Sequence, residues 1–354
     1  AYTTIDDPSA YFQATTYTGN GANTVVTNGG NSDLKPDFLW IKNRTAGYAH
    51  FVVDSNRNIS YAQNSSNAPY LETDSTAVEN NNQNWMQSVN TDGFTTGIAE
   101  HTNCNSGSAY VAWQWKANGG TTASNSDGTI TSTTQVNSDA GFSILTYTMG
   151  SGNDTVGHGL GVKPDIVITK ARQRGDANGF WSVYTTLIDG SLDYLRLNDT
   201  NAKADSSLAA PTTTVFTGAG SGTVAYRSFV AYCFASKQGY SKFGKYVGNG
   251  NSNGPFIYTG FKPAFIMIKR GDSTGAWAMY DTKRGVNGNP YELFANSSEA
   301  EYTGTSYFNI DILSNGFKQR LTDASQNASG GTYIYMAFAE NPFTTSTGIP
   351  TTAR

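Results

Sequence analysis

Charge is scarce in this chain. Lys and Arg number 23 and Asp and Glu 27 among 354 residues, so 14% are charged, against roughly a quarter in an average globular domain. With a net charge of −4 and no run of Lys or Arg, a nucleic-acid footprint is excluded. No apolar stretch approaches the roughly 20 residues of a membrane helix. The opening AYTTIDDPSAYFQ has neither the basic nor the apolar region of a secretory signal. Two cysteines, Cys104 and Cys233, are too few for a disulfide framework. Cys233 lies in the apolar run FVAYCF and reads as a buried free thiol. His50, His101 and His158 show no metal-ligand spacing, so neither a metal nor another cofactor is expected. His50 precedes an apolar strand and reads as a structural histidine.

What remains is glycine, aromatic and uncharged polar. There are 38 glycines and 13% aromatics, and the polar surface must come from Asn, Ser, Thr and Gln. Such a mixture favours turns and strands over helices. The expected class is all-β.

The organisation lies in a repeat. LKPDFLWIKNR at 34–44 returns as VKPDIVITKAR at 162–172 and FKPAFIMIKRG at 261–271, with prolines 128 and then 99 residues apart. Upstream of each stands Tyr with a glycine-rich turn: YTGNG at 17–21, YTMGSG at 147–152 and YVGNG at 246–250. Downstream come aromatic strands (YAHFVVD, FWSVY, AWAMYD) and a closing strand (YVAWQW, FVAYCF, YMAFAE), whose alanines align as Ala112, Ala231 and Ala337. Copies one and three share Asp54-x-x-Arg57 and Asp281-x-x-Arg284, then DGF and NGF; copy two lacks both.

Proline lacks an N–H and belongs at a strand's start. The runs FLWI, IVIT and FIMI do not alternate, so the strand is expected to be covered on both faces. Lys42, Lys170 and Lys269 are expected to mark its return to solvent. Pro36, Trp40, Pro164, Ile168, Pro263 and Met267 are therefore structural candidates. The prediction is three tandem β-sandwich-like domains: residues 14–116, 142–240 and 241–340. Residues 117–141 read as a linker, and 1–13 and 341–354 as short extended arms. Three copies in one chain are expected around a pseudo-threefold axis, with a homotrimer as the alternative.

Chemistry is not spelled out. The glycine clusters are followed by strands, not helices, so hairpins are expected instead of phosphate loops. No G-x-S-x-G elbow occurs. Asp6-Asp7 and Glu72 with Asp74 could form an acid pair only through folding, which leaves a glycosidase as a background expectation. Asn125 to Gly128 and Asn153-Asp154 lack the alternating acids of a calcium loop. Asp54/Arg57 and Asp281/Arg284 read as exposed turn ion pairs of little stability. Contact residues are expected in loops that differ among copies: Asn82 and Trp85, and Asn287 and Tyr291.

The phrases TIDDPSAYFQ…YTGNG, KPDFLWIKNR, GYSKFGKYVGNGNSNGPFIYTGFKPAF and NASGGTYIYMAFAENPF resemble a group of virion structural proteins of tailed phages. These are common in marine phages, including those of cyanobacteria. The resemblance spans essentially the whole chain and brings no catalytic residues. It implies a non-enzymatic virion protein, assembled in the bacterial cytoplasm and held to other virion proteins by its arms. A tail-fibre or appendage component contacting a host-surface glycan is the first expectation. Capsid decoration is the second and a surface-polysaccharide hydrolase the third.

Overall fold

A computed structural model describes the chain except residues 1–2, 58–68, 82–84, 99–101, 103–105, 151, 174–178, 219–226, 287–288, 305–309 and 352–354. The fold is all-β and built from sandwich-like units. Unit 1 contains β1 (Phe12–Thr18), β2 (Thr24–Val26), β3 (Phe38–Asn43), β4 (Phe51–Asp54), β5 (Met86–Val89), β6 (Phe94–Thr96) and β7 (Ala109–Trp115). Its inner sheet runs β1-β7-β3-β4 and its outer sheet β2-β6-β5.

Unit 2 contains β8 (Ala123–Asn125), β9 (Ser132–Asn137), β10 (Phe142–Met149), β11 (Thr155–Gly157), β12 (Ile166–Ala171), β13 (Trp181–Thr185), β14 (Asp193–Arg196), β15 (Ala204–Asp205), β16 (Val215–Thr217) and β17 (Arg227–Phe234). Its inner sheet is β15-β14-β13-β12-β17-β10-β9-β8, against the pair β11-β16. Strands β8 and β9 fall within 117–141, so that stretch is part of unit 2's sheet and not a linker.

Unit 3 contains β18 (Ser241–Val247), β19 (Phe256–Tyr258), β20 (Phe261–Arg270), β21 (Ala278–Asp281), β22 (Gly285–Val286), β23 (Asn289–Pro290), β24 (Leu293–Phe294), β25 (Ile310–Leu313), β26 (Gly316–Gln319), the short helix α1 (Ala324–Asn327) and β27 (Thr332–Pro342). The sheets are β18-β27-β20-β21-β24 and β19-β26-β25, with β22-β23 apart.

The apolar runs are covered on both faces. Leu39 and Ile41 of β3 pack inside unit 1, Val167 of β12 inside unit 2, and Ile266 and Ile268 of β20 inside unit 3. Their alternate neighbours Phe38, Trp40, Ile166, Ile168, Phe265 and Met267 point the other way, into one cluster shared by all three units. A residue step of two along each strand thus assigns side chains alternately to a private and a common core. Pro36 and Pro164 are buried just ahead of their strands. Pro263 lies within β20, where register shifts on both sides of it mark a bulge that tolerates the missing N–H.

Register aligns the units. Trp40 pairs with Trp113, Ile168 with Tyr232 and Met267 with Met336. Ile41 faces Ala112 and Thr169 faces Ala231, but Ile268 faces Tyr335. The third copy's structural match to Ala112 is therefore Tyr335, not Ala337; spacing around Ala337 alone misplaced it by two residues. The tyrosines of the glycine-rich turns occupy one position: Tyr17 stacks on Tyr110 (5.1 Å), Tyr147 on Phe229 (5.4 Å) and Tyr246 on Tyr333 (5.0 Å). Phe94, Phe216 and Phe317 meet them edge-on, so copy two keeps this phenylalanine without the DGF spelling. The terminal segments are pinned to the body and to each other: Thr3 Oγ1 donates to Gln238 O (2.9 Å) and Ser346 N to Asp6 Oδ1 (2.6 Å).

Candidate functional site

Buried polar side chains bridge the seams between units. Lys42, Lys170 and Lys269, expected at the surface, are fully buried. Each apolar strand ends inside a neighbour, and the ammonium is solvated there by carbonyls in place of water. Lys42 Nζ donates to Asn43 O (2.8 Å) and to Ser298 O of unit 3 (3.0 Å). Lys170 Nζ donates to Ala171 O (3.2 Å) and to Thr76 O of unit 1 (3.1 Å). Lys269 Nζ donates to Arg270 O (2.7 Å) and to Asn201 O of unit 2 (2.9 Å). Burial pulls all three pKa values down to about 8, which leaves them charged at neutral pH.

A second hook runs the same way. His50, Trp181 and Trp277 share one strand position, set by Phe51, Ser182 and Ala278 facing Ile41, Thr169 and Ile268. His50 Nε2 bonds Phe294 O (2.9 Å), Trp181 Nε1 bonds Glu72 O (2.7 Å) and Trp277 Nε1 bonds Arg196 O (2.8 Å). Trp40 Nε1 donates to His50 Nδ1 (2.8 Å), so the proton sits on Nε2, and burial holds the ring's pKa well below its usual value. A third hook is main-chain: Glu301 N to Arg44 O (2.8 Å), Glu79 N to Arg172 O (2.7 Å) and Lys203 N to Gly271 O (2.8 Å). Unit 2 grips unit 1, unit 3 grips unit 2, and unit 1 grips unit 3. The three units close into a pseudo-threefold ring.

Two seams add a buried ion-pair network. Between units 1 and 2, Arg57 Nε meets Asp54 (2.5 Å), and Glu79 takes both Arg57 Nη1 (3.1 Å) and Arg172 Nη2 (2.7 Å). Tyr232 OH donates to Asp54 Oδ2 (2.6 Å). Between units 3 and 1, Arg284 meets Asp281 (2.6 Å), and Glu301 takes Arg284 (2.8 Å) and Arg44 (2.7 Å). Trp113 Nε1 donates to Asp281 Oδ2 (2.9 Å). The Asp and Arg side chains of these turns are thus fully buried and are not exposed pairs. Burial opposes the Arg57 charge, but Asp54, Tyr232 and Glu79 outweigh it and raise its pKa above the ordinary arginine value.

The seam between units 2 and 3 is built differently. Ile188 stands where the other turns carry arginine and packs on Gly271, which replaces Arg44 and Arg172. Lys203 stands where they carry Glu79 and Glu301. Asp189, Asp193 and Asp205 bring carboxylate oxygens within 4.8 Å of one another. Lys203 Nζ already lies among them at 2.5, 2.7 and 2.9 Å, so the group is a lysine cradle in place of a cation-binding site.

The remaining candidates are dispersed. His158 is buried, its Nδ1 accepting from Leu160 N (3.2 Å). Asp6 bonds Ser346, whereas Asp7 caps the turn at Ser9 and accepts from Ser32; the two carboxylates do not work as a pair. Glu72 and Asp74 are both raised in pKa, burial being the main cause, and Asp74 accepts from His50 N (3.0 Å). Cys233 is a buried free thiol. Trp85 stacks on Tyr70 (4.1 Å) inside unit 1, and Tyr291 lies under Arg44 at 6.0 Å, so both sit against the body. Asn82, Asn287, His101 and Cys104 lie outside the described residues.

Unit 3's outer face carries the exposed aromatic surface that loop reasoning missed. Phe256 is 46% and Tyr258 53% exposed, with Phe343 at 36%. Tyr258 and Phe343 line a shallow depression with Gln238, Ser236 and Lys242. Lys242 Nζ donates to Tyr258 O (2.8 Å) and lies 5.2 Å from the ring centre. The alternation F-I-Y, with Ile257 buried and its neighbours outward, was the available signal.

Among the described residues, no helix is long and apolar enough to cross a membrane. No curated protein and no solved structure matches the chain. One family model does, over residues 7–342, from the cap of the first turn to the last residue of β27. The chain belongs to the family described as a domain of unknown function, DUF7483.

Proposed function

We propose that the chain is a non-enzymatic structural component of a tailed-phage virion, an appendage part that meets the host surface. The exposed ledge of Phe256, Tyr258 and Phe343 beside Gln238 and Lys242 carries this reading. Solvent-facing aromatics flanked by amide, hydroxyl and ammonium groups suit a glycan, whose apolar sugar faces stack on rings while hydroxyls bond polar side chains. The seam residues are committed to holding the ring together, which supports a rigid scaffold. The sequence resemblance to phage virion proteins points the same way.

Two experiments test it. Immunogold labelling of purified particles should decorate tails, and particles without label would overturn the virion assignment. The purified protein should bind host-derived polysaccharide, with Tyr258→Ala reducing binding; equal binding by the variant would remove the ledge from the interface. Label on heads would favour capsid decoration, a reading supported by the fit between a pseudo-threefold body and a threefold site on a shell.

A further inference from the structure

Strand β10 of unit 2 is not an edge, because β9 pairs with it from Phe142 to Tyr147. Strand β9 also seats on unit 1. Ser55 Oγ bonds Gln135 Oε1 (3.0 Å), Asn56 Nδ2 donates to Thr133 O (2.8 Å), and Asn137 Nδ2 donates to Ala117 O (3.3 Å). The strand thus fills the angle between β10 and the turn that follows β4 of the preceding unit.

The ring repeats this angle twice more. At unit 3 it is closed by side chains: Ser236, just ahead of β18, accepts from Phe243 N (3.1 Å), and Lys245 Nζ reaches Ile188 O of unit 2 (2.8 Å). At unit 1 it is open. Strand β1 has a neighbour on one side only, and Ala14, the counterpart of Phe243, has no outward partner for its N–H among the described hydrogen bonds. A cleft lies along this edge, lined by Phe12 and Ala14 of β1 and by Thr282, Lys283 and Glu340 of unit 3.

Register identifies that lining. Phe38 faces Asp54 and Trp115, and Phe265 faces Asp281 and Phe338. Counting on from these pairs, Thr282 matches Ser55, Lys283 matches Asn56 and Glu340 matches Ala117. These are the three residues that hold β9. The cleft is the pseudosymmetric image of the β9 seat without its strand.

We infer that this cleft receives an extended segment of another protein chain, added antiparallel to β1. Unpaired strand edges offer a row of main-chain donors and acceptors, and an added strand satisfies them. The occupant's chemistry follows from β9, Ser-Thr-Thr-Gln-Val-Asn. It is an uncharged, proline-free strand with an amide side chain opposite Ala14, where Gln135 stands opposite Ile144. The Thr282 hydroxyl bonds that amide, and exposed Lys283 donates to a main-chain carbonyl as Asn56 does. This partner surface goes beyond the proposed function and is independent of the glycan ledge.

The probe is a fluorescent, photo-crosslinkable peptide of residues 129–139, TITSTTQVNSD, added to the full chain. Saturable binding with a Kd below about 1 mM is expected, with crosslinks to β1 or to the turn at 282–283. Thr282→Trp, which fills the seat, and Lys283→Glu, which removes the donor, should each weaken binding about tenfold or more with circular dichroism unchanged. Lack of saturation, crosslinks confined to β10 or elsewhere, or undiminished binding by both variants would overturn the inference. So would a dimer of the chain that Thr282→Trp abolishes, since a second copy would then be the occupant. Particle labelling and peptide binding are separate readouts, so the virion reading and the open edge can each fail alone.

Discussion

Replacing Lys170 by Met removes the ammonium while keeping most of the side chain's length. The carbonyls of Thr76, Ala171 and Gly179 then lose a charged donor. At about 2 kcal/mol for each hydrogen bond to a charged group, the gross loss is about 6 kcal/mol. Met escapes the burial penalty that lowers the lysine pKa from 10.5 to about 8, which is about 3 kcal/mol at 1.36 kcal/mol per unit. The expected net destabilisation is therefore about 3 kcal/mol. Urea unfolding followed by tryptophan fluorescence reads it as a lower midpoint at unchanged slope. Lys42→Met and Lys269→Met should cost similar amounts, because each ammonium holds a carbonyl of its own strand and one of the neighbouring unit. A Lys170→Met protein as stable as the parent would refute the clasp and leave the lysines as tolerated buried charges.

The same lysines set a pH signature. Their folded pKa lies below the unfolded one, so between about pH 8 and 9.5 the unfolded chain binds more protons and stability should rise with pH; buried tyrosines with raised pKa values reverse this at higher pH. Loss of that rise in the triple Lys→Met variant is the check. Glu292 is fully buried, its pKa raised well above the usual range by burial, with Oε2 unpartnered among the described atoms. A raised folded pKa means stability is lost as pH climbs from about 4.5, so Glu292→Gln should raise the melting temperature at pH 8 and change it little at pH 4.5. Asp54→Asn leaves Arg57 buried and underpaired and should cost about 3–5 kcal/mol in urea unfolding. Gly316→Ala drives a Cβ into the Ile257 carbonyl oxygen and should cost about 2–3 kcal/mol, against about 1 for Gly330→Ala at an open positive-φ turn.

Much of the fold was legible because it is written three times. Proline placement and unbroken apolarity gave the strand and its two covered faces. The tyrosine-glycine turns, expected as hairpin corners, instead carry the chain from one sheet to the other: β1 pairs with β7 and β2 with β6, β10 with β17 and β11 with β16, and β18 with β27 and β19 with β26. What also failed was any inference from polarity to exposure. A lysine closing an apolar run reads as a return to water, yet Lys42, Lys170 and Lys269 are solvated by another unit's carbonyls, which local sequence does not reveal. The polar stretch 117–141 read as a linker for the same reason: β8 and β9 are strands through pairing with β10, not through their own hydrophobicity. Trp85 and Tyr291, expected as contact residues because they sit in divergent loops, are half-buried and lie against the body.

One signal for the seams was nevertheless present. The Asp-x-x-Arg turn occurs in copies one and three, whereas the arginine closing the lysine-proline strand occurs in copies one and two. That mismatch is what a ring requires if each turn pairs with the next copy's arginine: Arg57 with Arg172 through Glu79, and Arg284 with Arg44 through Glu301. Copy two lacks the turn and copy three lacks the arginine because they face each other across the remaining seam, where Ile188 meets Gly271. A homotrimer of one unit could not vary its seams in this way, since a change in one would appear in all three. Joining the copies in one chain frees each seam to diverge. It lets one put Ile188 against Gly271 where the other two carry arginine networks, and lets β9 fill one edge while the matching edge at β1 stays open.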